Sequence, residues 1–549
     1  MAKTPPTPPE GQPEAAAAAT VTTDVKVMSG ADMLDAILKN GKLVRAGDDR
    51  PEDQQAQRTK AMKLLKEFIG QLLDDAKMKA DEKSDTIELI KRQIKRIDEE
   101  IGKGVDKILH NTKFQELEAA WRGLRYLVYN TETSTRLKLR LMPVKREVLV
   151  NDLKNAPDVD QSVLFKKVYE EEYGTYGGNP FSLLIGDFKF TRSTPDLELL
   201  KNIAKVASGA HTPFISAADP DLFGMRSFTE LGNPRDLAKV FESTELAAWR
   251  SFRESDDARY ITLTLPRFLL RTPYGENTDP VDGFSMTEDM IDESIAYVEP
   301  DLPKNIEKKK KEEALQRAKD RRERKHSKYL WGNSAYVLGQ RITNAFAMYG
   351  WCAAIRGPEG GGKVTGLPLH TFETLEGDKA MKIPTEVSIT DRREKELDGL
   401  GFISLVHCKG TDYAAFFGGQ TIHKPPVFDT DAANANAAIS ARLPYLLAAS
   451  RFAHYLKVIC RDKIGSFQTK DSMTQYLNRW LMTYVLGTDD AGQELKAQYP
   501  LREARIDVFD VPGKPGAYRA VVFLRPHFQL EELTASIRLV AELPPPVAA

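Results

Sequence analysis

MYGWCAAIRGPEGGGKVTGLPLHTF, from Met348 to Phe372, decides between a nucleotide-binding fold and something else. A phosphate-binding loop needs G-x-x-x-x-G-K-[ST] after a strand and at the start of a helix, so that backbone N–H groups cradle phosphate and a hydroxyl holds Mg²⁺. Gly357 to Lys363 matches the glycine and lysine spacing, but Val364 stands where the hydroxyl belongs and Thr365 comes one place late. Gly366, Pro368 and His370 then follow where a phosphate-facing helix should begin. The stretch therefore reads as a glycine turn where backbone passes close to backbone. A P-loop nucleotide hydrolase centred on Gly357–Lys363 remains the rival reading from a different functional class.

Outward from this loop the composition shows no extreme. The chain has 549 residues, enough for two or three domains with real cores, and 78 Lys and Arg against 79 Asp and Glu. That balance argues against binding nucleic acid through bulk charge. Cys352, Cys408 and Cys460 lie far apart, without C-x-x-C pairs or zinc-type histidine spacing. Neither a catalytic residue, a cofactor nor a metal ligand set is expected. His407-Cys408, with Asp412 and His423 nearby, is the one cluster suggestive of catalysis, yet adjacent residues on a strand point to opposite faces. No stretch approaches the ~20 apolar residues of a membrane span, and the start lacks a signal-peptide pattern.

The first twenty residues are Pro/Ala-rich low complexity. Val21, Thr23, Val25 and Val27 then alternate like one face of a strand without a hairpin partner. Ser29 can cap a short helix ended by Asn40-Gly41, whose apolar stripe is Met33, Leu34, Ile37 and Leu38. A strand and a short amphipathic helix on a tethered arm suggest docking elsewhere, or folding back on the chain's own core. From Ser84, the series Ile87, Ile90, Ile94, Ile97, Ile101, Val105 and Ile108 steps by three or four, the seam of a coiled coil. Its partner is either the chain's own Phe114–Tyr129 segment or another subunit.

Strand patterns at Arg136–Met142, Phe181–Ile185, Thr212–Ala217 and Tyr260–Leu265 alternate with helix patterns at Pro195–Ser208 and Arg235–Phe252, giving a mixed α/β (α+β) class. Phe402, Leu405, Ala414 and Phe416 suggest two further strands around a turn at Lys409–Asp412. Between Lys304 and Lys328 there are twelve Lys/Arg against five Asp/Glu, with no aromatic platform for bases, which reads as a solvated helix or loop. Tyr518–Arg525 and Ser536–Leu543 both alternate and could pair as a hairpin. Two strands alone are marginally stable, so these, with the strand near Val21, suggest strand exchange between copies.

The chain resembles the large subunit of the contractile sheath of bacterial type VI secretion, the TssC/VipB family, related more distantly to phage-tail sheaths. The resemblance rests on FQELEAAWRGLRYLV from Phe114, LGNPRDLAKVF from Leu231 and RYITLTLPRFLLRTPYG from Arg259. It rests equally on KYLWGNSAYVLGQRI from Lys328, the opening stretch from Gly350, PTEVSITDRREKELDGLGF from Pro384 and LRPHFQLEEL from Leu524. The stretch near Ser285–Ser327 is longer and more basic than the usual pattern.

This resemblance implies a contractile-tail-sheath-like fold in three parts. Residues 1–60 form an arm, residues 61–395 a body with a coiled-coil-like helix at 84–109 and a charged insertion at 285–327, and residues 396–549 a C-terminal domain. It also implies a structural role in the bacterial cytoplasm. A small sheath subunit (TssB/VipA-like) and copies of the chain form a helical tube around an inner tube (Hcp-like) on a baseplate. Contraction drives the inner tube outward, and an AAA+ unfoldase (ClpV-like) recognises an N-terminal helix. On this reading Ile87, Ile90, Ile94, Ile97 and Ile101 pack on the small subunit, and Met33, Leu34, Ile37 and Leu38 meet the unfoldase. Val21, Val25, Val27, Val522, Leu524 and Leu539 lie on inter-subunit strands. The sheath of a phage-like contractile particle is the rival within the structural class.

Overall fold

The computed structural model describes residues 86–233, 235–292, 325–373, 378–466, 469–488, 490–513, 517–527 and 529, with helical positions between 59 and 70. It divides into two units, one ending at Glu100 and one beginning at Ile101. In the first unit the described residues are helical: the positions between 59 and 70 and the opening turns of helix α1 (Thr86–Leu109).

In the second unit, helix α2 (Thr112–Tyr129) starts at Asn111, whose side-chain oxygen accepts the Lys113 N–H at 3.1 Å. Helix α3 (Thr194–Ala210) has Pro195 in its first turn and ends where His211 turns left-handed at φ 52°. The strands follow as β1 (Leu184–Phe190), β2 (Phe214–Ala218), β3 (Ile261–Leu265), β4 (Phe268–Leu269) and β5 (Trp331–Gly332). Next come β6 (Lys363–Val364), β7 (His370–Glu373), β8 (Lys379–Lys382), β9 (Phe402–His407), β10 (Ala414–Phe416), β11 (Leu501–Asp510) and β12 (Tyr518–Pro526).

The centre is a six-stranded sheet in the order β1-β2-β3-β9-β10-β6. The first four strands are parallel, and β10 and β6 add antiparallel. Strands β2, β3 and β9 are buried throughout and rich in apolar residues because both faces are covered. Phe214, Leu263 and Phe402 face a core built on α3. Ile215, Ile403 and Leu405 face the opposite core, built on helix α4 (Ala335–Tyr349) and the start of helix α5 (Leu443–Asp462). Strands β9 and β10 lie beyond the division expected at residue 396 and complete the sheet begun by β1 to β3. A third core joins α5, helix α6 (Lys470–Met482) and the antiparallel pair β11–β12.

Two sequence expectations need correction, and a third falls partly outside the described residues. Among the described residues, Arg136–Met142 enters no ladder. Arg235–Phe252 is broken: Leu237–Glu242 and Ala247–Arg253 are separate helices, because Ser243 takes an extended conformation at ψ 152°. Tyr518–Arg525 pairs with Leu501–Asp510, whose charged alternate residues hid its strand character, while Ser536–Leu543 lies outside the described residues.

Candidate assembly surfaces

Charge on most faces of α1 and isoleucine on one leave a stripe that needs an apolar partner. Ile90, Ile94, Ile97, Ile101 and Ile108 are between 36% and 57% exposed. Ile87 lies in the same helix, although its side chain is outside the described set. Ile101 and Ile108 belong to the same unit as α2, so the proposed internal partner leaves them uncovered. Helix α2 is apolar on two faces. Gly123 and Leu127 are buried, Gly123 against the Tyr336 ring of α4, while Phe114, Leu117 and Trp121 remain exposed. From sequence this segment entered only as a candidate internal partner of the isoleucine seam, although the spacing of Phe114, Leu117 and Trp121 marks an outward apolar face of its own.

The base of α1 is held by buried charge. The Arg271 guanidinium donates to Glu288 at 2.6 Å and to Glu118 at 3.0 Å, and Glu118 also accepts from Arg122 at 2.7 Å. Glu288 accepts the Tyr274 N–H at 3.0 Å and lies 3.2 Å from His110 Nε2. Burial alone would raise the Glu288 carboxyl, but hydrogen bonds from His110 and Arg271 and the Arg271 charge overcome it and hold the group at about 2. The Asp289 N–H reaches Asp106 at 3.3 Å, and Lys328 pairs with Asp289 at 3.0 Å. Beside them Lys325 N–H donates to the Met290 carbonyl at 2.8 Å, so the two ends of the basic insertion meet at this anchor. Residues 293–324 of that insertion are outside the described set.

At the C-terminal end, Ala504, Ile506 and Val508 of β11 are buried, and Val522 and Leu524 of β12 pack beside them. Their neighbours Phe509, Val521 and Phe523 face outward and are about half exposed. Among the described residues, β12 is paired along one edge only. The free edge presents backbone donors and acceptors for another strand. Val21, Val25, Val27, Leu539 and the Met33, Leu34, Ile37, Leu38 stripe lie outside the described residues.

The glycine loop has its own geometry. Gly357 and Gly361 take left-handed φ values of 67° and 92°. A Cβ on Gly361 would lie 2.2 Å from the Ala354 carbonyl oxygen, and one on Gly362 would lie 2.6 Å from that of Phe416. The Gly357 N–H donates to Phe416 O at 2.7 Å and the Gly362 N–H to Gly357 O at 2.8 Å, so these donors are already committed. Lys363 opens strand β6, not a helix, and its ammonium sits 4.4 Å from the Tyr413 ring centre. The loop fastens the end of the sheet.

His407 and Cys408 do not form a nucleophile pair either. Burial lowers His407 and raises the Cys408 thiol, both away from an imidazolium–thiolate couple. His423 Nδ1 is 3.1 and 3.0 Å from the carbonyls of Arg253 and Ser255, a structural brace. Among the described residues no cluster of three or more His, Cys, Asp or Glu could hold a metal ion, and no helix is long and apolar enough to cross a membrane.

Residues 91–298 and 302–423 match the family described as EvpB/VC_A0108, tail sheath N-terminal domain. Residues 432–543 match the companion EvpB/VC_A0108, tail sheath gpW/gp25-like domain. The chain belongs to the VipB family of tail sheath proteins. It is 48% identical over 464 residues to the type VI secretion system sheath protein TssC1 of Pseudomonas aeruginosa, covering 84% of this chain and 87% of that protein. Among solved structures, the contracted sheath complex of the extracellular contractile injection system PVC matches at TM-score 0.31 and 7% identity over 62% of this chain and 68% of that one. The anti-feeding prophage baseplate matches at TM-score 0.26 and 10% identity over 39% of this chain and 51% of that one. As a VipB-family member, the chain is a structural subunit of the type VI secretion contractile sheath. The two VipB-family regions meet between residues 423 and 432, within KPPVFDT, where Val427 and Phe428 are exposed.

Proposed function

We propose that this chain is the large subunit of the sheath, pairing through α1 with a small TssB/VipA-like subunit. The heterodimers then polymerise in the bacterial cytoplasm on a baseplate around an Hcp-like inner tube. The observation that supports pairing is the exposed isoleucine row of α1, since a stripe of that regularity stays in water only at a cost that a partner helix removes. The body between residues 61 and 395 carries the seam and the sheet, and residues 396–549 carry the C-terminal strands. The arm of residues 1–60 reaches neighbours through Val21, Val25 and Val27 and offers Met33, Leu34, Ile37 and Leu38 to a ClpV-like AAA+ unfoldase. Val522, Leu524 and Leu539 mark the C-terminal strands whose edges receive neighbouring chains.

No catalytic step is required of the chain. Strand links carry tension while rigid bodies rotate, and the extended tube is metastable, with contraction favoured by additional buried contacts. Nucleotide enters only through the unfoldase. Ile94→Asp tests the seam directly. The side chain is 48% exposed, so the substitution leaves folding of the free chain intact. Burying an unpartnered carboxylate against the partner costs several kcal/mol. The variant therefore purifies as a folded chain that no longer retains the small subunit; retention at wild-type level would remove the seam assignment.

A further inference from the structure

Leu137, Leu139 and Leu141 alternate with Arg136, Lys138 and Arg140, a strand pattern of one apolar and one basic face. The chain runs from Leu137 to Lys145 without a turn or bend, yet joins no ladder among the described residues. Among the described residues, no hydrogen bond reaches a backbone N–H or carbonyl from Lys138 to Val144. Both ends are tied down. Ser134 Oγ accepts the N–H groups of Arg136 and Leu137 at 3.2 and 3.1 Å, and Arg146 donates to the Lys189 carbonyl of the edge strand β1 at 3.1 Å. In between, Arg140 pairs with Glu172 and lies 5.5 Å over the Phe181 ring.

Resting on the assembly reading above, we propose that Lys138–Met142 is a pre-laid strand that accepts a β-strand from a different sheath subunit, one alternating apolar and acidic side chains. An extended backbone whose polar groups make no hydrogen bond among the described residues, with both ends fixed, has lost much of its conformational entropy before binding, which favours strand addition. Leu141 is 64% exposed and supplies an uncovered apolar contact. Arg136 and Lys138 are exposed and make no ion pair among the described residues; Lys138 acts on Glu172 only at longer range, so both side-chain ends can reach carboxylates on the incoming strand. A second copy suits the position less well. Its free-edged β12 carries Arg519 on its outward face and no carboxylate of its own between Tyr518 and Pro526, so it offers the basic face a like charge and no acidic partner.

The test is hydrogen–deuterium exchange at single-residue resolution on the full chain, alone and in tubes formed with the co-expressed small sheath subunit. Strand addition along one edge protects every second amide between Lys138 and Met142, slowing them by an order of magnitude or more, and leaves the alternate ones fast. Tubes in which all these amides exchange as in the free chain would overturn the inference while the assembly reading stands. Failure to form any tube would overturn both. The same alternate protection in polymers of the chain alone would reassign the strand to a second copy. Lys138→Glu, at an exposed position that makes no ion pair among the described residues although its charge also acts on Glu172, is expected to lower tube recovery severalfold at low salt. Wild-type recovery at low salt would overturn the acidic character assigned to the partner strand.

Discussion

Replacing Glu288 by Gln removes the charge at the centre of the anchor beneath α1. The Glu288 side chain is 1% exposed, Arg271 is 5% exposed, and their closest hydrogen bond is 2.6 Å. A carboxyl held at about 2 in the folded chain, against an ordinary 4.5, contributes on the order of 3 kcal/mol of folding free energy at neutral pH. Because the folded value is depressed, this stability is fully present above pH 4.5 and is lost as pH falls through about 2. Urea unfolding of wild type and Glu288→Gln, followed by tryptophan fluorescence at several pH values, should show a gap that is flat from pH 7 to about 5. Below about 4.5 the gap should close by roughly 1.4 kcal/mol per pH unit. Glu386, also held at about 2, burial being overcome by Arg267 and His326, is common to both proteins and cancels from the difference. A gap unchanged between pH 7 and 3.5, or absent at pH 7, would refute the buried-pair account.

Gly123→Ala places a Cβ 2.5 Å from Cδ2 of the buried Tyr336 ring, and the overpacking, about 1–3 kcal/mol, outweighs the ~1 kcal/mol gain in helix propensity. Its thermal midpoint should fall, and a rise would contradict the close approach of α2 and α4. Leu34→Asp should leave tube formation intact and abolish unfoldase-dependent recycling of contracted sheaths; unchanged recycling would remove that helix from the account. Lys363→Ala should leave nucleotide retention at background, as in wild type, in an equilibrium-binding assay with ATP, and saturable binding lost in the variant would revive the hydrolase reading.

The sheet was legible where both faces are buried. Runs such as ITLTL at Ile261–Leu265 and FISLVH at Phe402–His407 are continuous enough to announce central strands. The isoleucine row of α1 was legible for a different reason, because a narrow seam leaves its period undisturbed by other burial. Strand β11 was missed because Arg502, Glu503, Arg505 and Asp507 mask an inward row of Ala504, Ile506 and Val508. Arg136–Met142 shows the converse, a strand pattern that enters no ladder among the described residues. The Glu288 anchor could not be read at all. Arg271, Glu118 and His110 lie 17, 170 and 178 positions away from Glu288, and only the fold brings these charges together.

The central claim is tested most directly by co-expressing the chain with a small sheath subunit and imaging the product by negative-stain electron microscopy, with the chain alone as control. The account predicts long hollow helical tubes that appear only with the partner. Discrete soluble particles in every preparation would contradict it.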